Sequence, residues 1–197
     1  MAKKIHIAQH EIRDEITMFQ ANDFPCVWLT GLSGAGKSTI ANGLIAVLRE
    51  SGQAALLLDG DVLRNGLSRD LSFSVQDRAE NVRRAAEIAR LAADAGIVPV
   101  VALISPLRSE RARAKDIVGA SRFIEIFVDT PLRLCEARDL KGLYVQARKG
   151  AIKEFTGISS PYEAPESPDV HLSTEGSSPD QCVQAIMEHL ARRTRKK

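Results

Sequence analysis

Eight consecutive residues, Gly31-Leu32-Ser33-Gly34-Ala35-Gly36-Lys37-Ser38, set three glycines, a lysine and a hydroxyl at the spacing Gly-x4-Gly-Lys-Ser/Thr. These residue types in this order suit the wrapping of phosphate. Glycine backbone reaches conformations closed to side-chained residues, so successive N–H groups can converge on one anion. Lys37 has the reach for the β- and γ-phosphates of a nucleotide, and the Ser38 hydroxyl can ligate Mg²⁺. Thr39 follows as a second hydroxyl. A glycine-rich turn before an ordinary helix is the plainer alternative, and the full match in this context favours nucleotide binding. The loop by itself does not say what receives the phosphate.

Such a loop works between a strand and a helix. Cys26–Thr30 is an apolar, β-leaning run, as a buried strand requires. After the loop, Ile40, Ala41, Leu44, Ile45, Val47 and Leu48 recur at helical spacing. The first N–H groups of that helix add donors and a positive dipole end.

The 197 residues are enough for one domain with a substantial core, 44% apolar and 26% charged, with a net charge of +2. No global field argues for nucleic acid or membrane. No apolar run approaches the roughly 18 residues of a membrane span, and the N-terminus lacks a signal-peptide core. Cys26, Cys135 and Cys182 are odd in number and scattered, which fits reduced thiols in a cytoplasm.

Taken in order, residues 1–24 read as a polar extension or linker, with Ile12, Ile16 and Phe19 suggesting a short amphipathic helix. Ala54–Leu58 reads as a second buried strand, running into Asp59-Gly60-Asp61. Ligands of open α/β sheets sit beyond strand carboxyl ends, which places Asp61 near the phosphate loop. Asp59 reads equally as a helix cap or as a site residue. Residues 62–75 are loop-like. Ser74-Val75-Gln76-Asp77 has the form of a capping box, opening a helix to about Ala95 that Gly96 ends. Arg78 and Asn81 share a face there, open to an anionic ligand or to solvent.

Val98–Ile104 is a third strand, and Ser105-Pro106 reads as a cap and first helical residue of a charged, mostly exposed helix over 107–118. Phe123–Val128 is a fourth strand, and Leu132–Ala137 is helical. The basic stretch 138–157 is broken by Gly142 and Gly150; it suits a lid over phosphates or a solvated helix. Val170–Ser173 is a fifth strand, Pro179–Ala191 a last helix, and 192–197 a basic tail with no assigned function. The whole predicts an α/β P-loop NTPase fold: three layers, a five-stranded parallel sheet with helices on both faces, and a lid.

Several linked stretches resemble the adenylyl-sulfate kinase (APS kinase) family. They are Asp59-Gly60-Asp61 with Arg64, Gly66 through Ser74, Asp77 through Arg84, Ile104-Ser105-Pro106, Cys135 through Tyr144 and Phe155-Thr156-Gly157-Ile158. The resemblance runs from about Val27 to Thr174 and implies a kinase domain over 25–191. It implies transfer of the γ-phosphoryl of MgATP to the 3′-hydroxyl of adenosine 5′-phosphosulfate (APS). By matching position, Asp61, Arg64, Phe73, Arg78, Asn81, Ile104, Ser105, Lys141 and Phe155 would line the APS site. Gly31, Ser33, Gly34, Ala35, Gly36, Lys37, Ser38 and Thr39 would hold ATP, with Arg138 against its adenine.

The residue types agree with that chemistry. Phe73 and Phe155 offer faces for a base, and Arg64 and Arg78 offer forked donors to a phosphosulfate. Lys37, Mg²⁺ and the lid cation Lys141 would neutralise the moving group. Asp61 would orient the acceptor hydroxyl as a base or ligate magnesium through water; both stay open. Ser105 matches a serine that the family can phosphorylate, although direct transfer needs no phosphoenzyme. Ala35 stands where many members have Ser, and Glu154 where the usual residue is Gly. The resemblance also implies a homodimer, and a possible fusion to or association with ATP sulfurylase. Another small-molecule kinase of this fold, or a catalytically silent nucleotide-binding domain, are the competing readings.

Overall fold

The apolar run Cys26–Thr30 forms β1, buried at every position. Successive side chains point to opposite faces of a strand, so a strand buried throughout must be covered on both sides. The computed structural model, which describes residues 24–139 and 141–194, supplies that cover. The segment read at Ile12, Ile16 and Phe19, and residues 195–197 of the tail, lie outside the described residues.

The chain continues through α1 (Lys37–Glu50), β2 (Ala55–Asp59), α2 (Gly60–Asn65), α3 (Val75–Asp94), β3 (Val98–Ala102), α4 (Arg108–Val118), β4 (Phe123–Asp129), α5 (Leu132–Arg138), α6 (Leu143–Arg148), β5 (Val170–Ser173) and α7 (Pro179–Thr194). The sheet has the order β2-β3-β1-β4-β5, and every pairing is parallel. Val27 and Leu29 face one core with Leu44 and Leu48 of α1 and Ile186 and Leu190 of α7. Trp28 faces the other, with Ala85 and Ala89 of α3 and Ala114 and Val118 of α4. The five-stranded, two-faced α/β architecture expected from the sequence is the one observed.

Local readings differ in instructive places. β2 is an edge strand, so Leu56 is 36% exposed and burial is complete only at Leu58 and Asp59. The loop-like stretch begins with a helix, α2, because the Asp59 carboxylate accepts from the Asp61 N–H at 2.9 Å and caps it. Ser74 caps α3 by accepting from the Asp77 N–H at 3.1 Å. Asp77 does not return the favour; its carboxylate accepts from the Ser72 N–H at 3.0 Å, so the capping box is half made.

The Ser105 cap reading is overturned. α4 starts at Arg108, two residues beyond Pro106, and Ser105 takes a left-handed backbone, φ 38°, with its hydroxyl engaged elsewhere. α4 is also less exposed than its charges suggest, since Glu110, Arg111, Ala114 and Val118 are buried. α7 continues past Ala191 to Thr194, so the basic tail begins as helix.

Candidate active site

The phosphate loop leaves β1 at the sheet's carboxyl edge, beside β4. Gly31 is required there by close approach: a Cβ would sit 2.5 Å from the Val128 carbonyl oxygen. The far end is tied down by Thr130, whose hydroxyl donates to the Ala35 carbonyl at 2.9 Å. Lys37 opens α1 and folds back, its ammonium donating to the Gly31 and Leu32 carbonyls at 2.9 and 2.7 Å. Burial pulls its pKa down to about 8, opposed by the nearby Asp59 and Asp61 carboxylates.

Ser38 donates to Asp59 Oδ2 at 2.6 Å while Asp59 Oδ1 caps α2. Asp59 therefore caps α2 with one oxygen and holds the Ser38 hydroxyl of the loop with the other. The Ser38 hydroxyl beside a carboxylate fits Mg²⁺, a hard cation that takes one or two protein oxygens and completes its shell with water and phosphate. Among the described residues no cluster of three acidic, cysteine or histidine side chains offers a dedicated protein cage.

A cavity of about 790 Å³ opens from the loop toward α3 and the 138–157 segment. Its wall includes Ser33, Gly34, Ala35, Gly36, Lys37, Ser38, Thr39 and Arg138 at one end. Asp61, Arg64, Phe73, Arg78, Asn81, Ile104, Ser105, Lys141 and Phe155 belong to the same wall. Gly31 stands behind that wall. Arg138 donates to the Gly34 carbonyl at 3.1 Å, bringing α5 onto the loop.

The second half of the cavity is cationic and aromatic. The Arg64 guanidinium lies 4.3 Å from the Phe73 ring centroid and donates to the Ser72 carbonyl at 2.8 Å. Arg78 donates to the Thr156 hydroxyl at 2.8 Å and to the Glu154 carbonyl. Burial, then the charge of Arg78, pushes the Arg64 pKa down, opposed by the Asp77 and Asp61 carboxylates. Asn81 is buried, and its Oδ1 has no hydrogen-bond partner among the described residues. Lys141 reaches over from the 138–157 segment and pairs with Asp61.

Several residues were not named for the site from the sequence. The Trp28 indole donates to Ser105 Oγ at 3.1 Å, which is what displaces the cap reading. Arg111 is buried and holds the same turn through the Ser105 carbonyl at 2.8 Å, with further bonds to Glu125 and the Glu163 carbonyl at 2.7 Å each. Thr156 and Tyr144 also line the cavity. Tyr144 belonged to a quoted motif; Trp28 and Arg111 gave no local signal, because their partners are distant in sequence.

A parallel sheet of order β2-β3-β1-β4-β5 with this loop after β1 defines the P-loop class of nucleoside-triphosphate-binding proteins. Within that class, the model of the family described as "Adenylylsulphate kinase" matches residues 24–173, and the chain belongs to that family. An adenylyl-sulfate kinase of Burkholderia ambifaria is 57% identical over 164 residues, 83% of this chain and 91% of the relative. The bifunctional enzyme NodQ of Rhizobium tropici is 55% identical over 177 residues, 89% of this chain. The chain spans only 28% of that relative's length. The structure of the Mycobacterium tuberculosis APS kinase CysC in complex with AMPPNP and APS superposes with a TM-score of 0.82 at 48% identity, covering 85% of this chain and 98% of that one.

Proposed function

We propose that the chain transfers the γ-phosphoryl group of MgATP to the 3′-hydroxyl of APS, giving 3′-phosphoadenosine 5′-phosphosulfate and ADP in sulfate activation. The observation that carries this is one continuous cavity. It joins a phosphate loop at one end to a paired-arginine, two-phenylalanine wall at the other, with Asp61 and Lys141 between them. The solved relative bound to AMPPNP and APS supports the same pairing of ligands.

The loop N–H groups and Lys37 hold the donor phosphates, and Arg138 lies against the adenine. Ser38 would hold magnesium, which would supply charge neutralisation at the donor phosphates. Arg64 and Arg78 take the phosphosulfate, Asn81 Oδ1 accepts from the acceptor nucleoside, and Phe73 and Phe155 flank its base. Ser105 and Ile104 close the floor of the acceptor site. The 3′-oxygen attacks the γ-phosphorus as the bond to the β–γ bridging oxygen breaks. The hydroxyl proton passes to Asp61, and Lys141 turns from Asp61 to the transferring group.

Asp59 already occupies the Ser38 hydroxyl. That supports giving Asp59 the metal-side position and leaving Asp61 for the hydroxyl. We read 138–157 as the lid, 25–191 as the kinase domain and 1–24 as an extension or linker, with subunits paired as a homodimer. A relative named as a bifunctional enzyme, of whose length the chain spans 28%, supports reading 1–24 as a linker to a further domain, for which we propose ATP sulfurylase. No described helix is long and apolar enough to cross a membrane.

The test is a coupled ADP-release assay with MgATP and APS. APS-dependent ADP release is expected. Release with another acceptor and none with APS would overturn the assignment. Binding of both nucleotides without turnover would favour a silent domain.

A further inference from the structure

Tyr144 touches both halves of the cavity. Its hydroxyl donates to the Ser33 carbonyl of the phosphate loop at 2.8 Å. Its ring meets Phe155 edge to face, centroids 4.9 Å apart at 77°. Tyr144 is 2% exposed and Phe155 9%, so the pair is packed and not a surface contact. The helix carrying Tyr144 is pinned at its start, because the Asp139 carboxylate accepts from the N–H groups of Tyr144 and Val145 at 3.1 and 3.0 Å. The neighbour of Phe155, Thr156, accepts from Arg78 at 2.8 Å. One unbroken line of contacts therefore runs from a loop carbonyl to the acceptor-side arginine.

We propose that Tyr144 is a positioning residue that couples the two substrate sites, passing order in the donor loop at Ser33 to the acceptor-side ring of Phe155. The proposal rests on the reading of the cavity as an ATP and APS site. Tyr144 reaches no reacting atom in it. A phenylalanine would fill the same volume, so packing alone does not explain the hydroxyl. Burial raises the phenol's pKa and keeps it a donor. A donor nucleotide that orders the loop fixes the Ser33 carbonyl, and with it the ring that the acceptor must meet. The second ligand then has less left to order. Coupling of this kind is reciprocal in binding free energy.

The experiment titrates APS into the full chain by calorimetry, with and without saturating ADP and magnesium, so that no turnover intervenes. ADP is expected to tighten APS binding by about tenfold, within the common range of coupling between sites. Tyr144→Phe is expected to bring that factor within about twofold of one while changing ADP affinity less than about threefold. Phe155→Leu keeps the hydroxyl and removes the ring edge; it is expected to lose the factor too.

A Tyr144→Phe protein that keeps the wild-type factor overturns the proposal. So does a wild-type protein that binds APS equally well with and without ADP. If Tyr144→Phe does not fold, a retained factor in Phe155→Leu overturns it instead. A wild-type protein that binds no APS in either state fails the functional reading itself, and the proposal falls with it.

Discussion

Lys141 and Asp61, 80 positions apart in the chain, form an ion pair across the mouth of the cavity. Both side chains are largely exposed. Exposed pairs add little to folding and are easily given up. The contact therefore reads as a resting place for a cation whose work lies elsewhere. Lys141→Ala is expected to leave the melting temperature nearly unchanged and to lower kcat by about 10³ or more, the range of cationic fingers in phosphoryl transfer. Asp61→Asn is expected to lower kcat by about 10²–10⁴, as loss of a positioned base does. Steady-state kinetics with a parallel thermal melt check both. Near-normal turnover in either variant refutes the role given to that residue.

Lys37 sets a pH dependence whose sign can be worked out. Its folded pKa is near 8, against an ordinary 10.5. In the empty protein its charge is lost as pH rises through about 8, so donor affinity should weaken above that. Bound phosphates restore the charge, so nucleotide binding at pH 9 should take up close to one proton, and at pH 7 almost none. Calorimetry in buffers of different ionisation heat measures this directly. The unfolded chain keeps the lysine proton up to about 10.5, so it binds more protons between about 8 and 10.5. Stability should therefore rise with pH in that window, with the burial cost fully present below it. A Lys37→Met protein should lack both effects.

Glu154 holds a left-handed backbone, φ 54°, and its carboxylate acts on Arg78. A side-chained residue there costs about 1 kcal/mol. Glycine would recover this and lose a similar amount through its freer unfolded chain. Glu154→Gly should then shift the melting temperature by no more than about 3 °C. It should also lower the KM for APS by about three- to tenfold, by removing a screened repulsion of roughly 1 kcal/mol beside Arg78. An unchanged KM would show that the carboxylate does not oppose the substrate.

Ser105 is engaged by Trp28, a wholly buried indole. Ser105→Ala orphans that N–H and should cost about 1–3 kcal/mol of stability, read by denaturant unfolding. Its kcat should stay within about tenfold of wild type, because direct transfer needs no phosphoserine. A loss of about 10⁴ would put the hydroxyl on the reaction path.

What was legible follows from the range of each interaction. The loop and its flanking elements are local: an apolar run, glycines at set spacing and a helical period. Strand order is not local. Nothing within Ala55–Asp59 says that β3 lies between it and β1, so the exposure of Leu56 had no sequence signal. Ser105-Pro106 carries sound cap chemistry, and it was overruled by an indole 77 positions away. Asp59 could be placed only on even terms, because its two oxygens do two jobs. The strain at Glu154 was foreshadowed only by the glycine that the resemblance leads one to expect there.

The Val128 carbonyl fills the space where any side chain at residue 31 would have to go. The donor cradle is thus dovetailed into a neighbouring strand and comes into being with the sheet itself, before a nucleotide arrives. A lineage could redraw the opposite wall around Arg64, Phe73 and Lys141 for a new acceptor while inheriting its phosphate grip unaltered; the reverse change would have to dismantle the scaffold first.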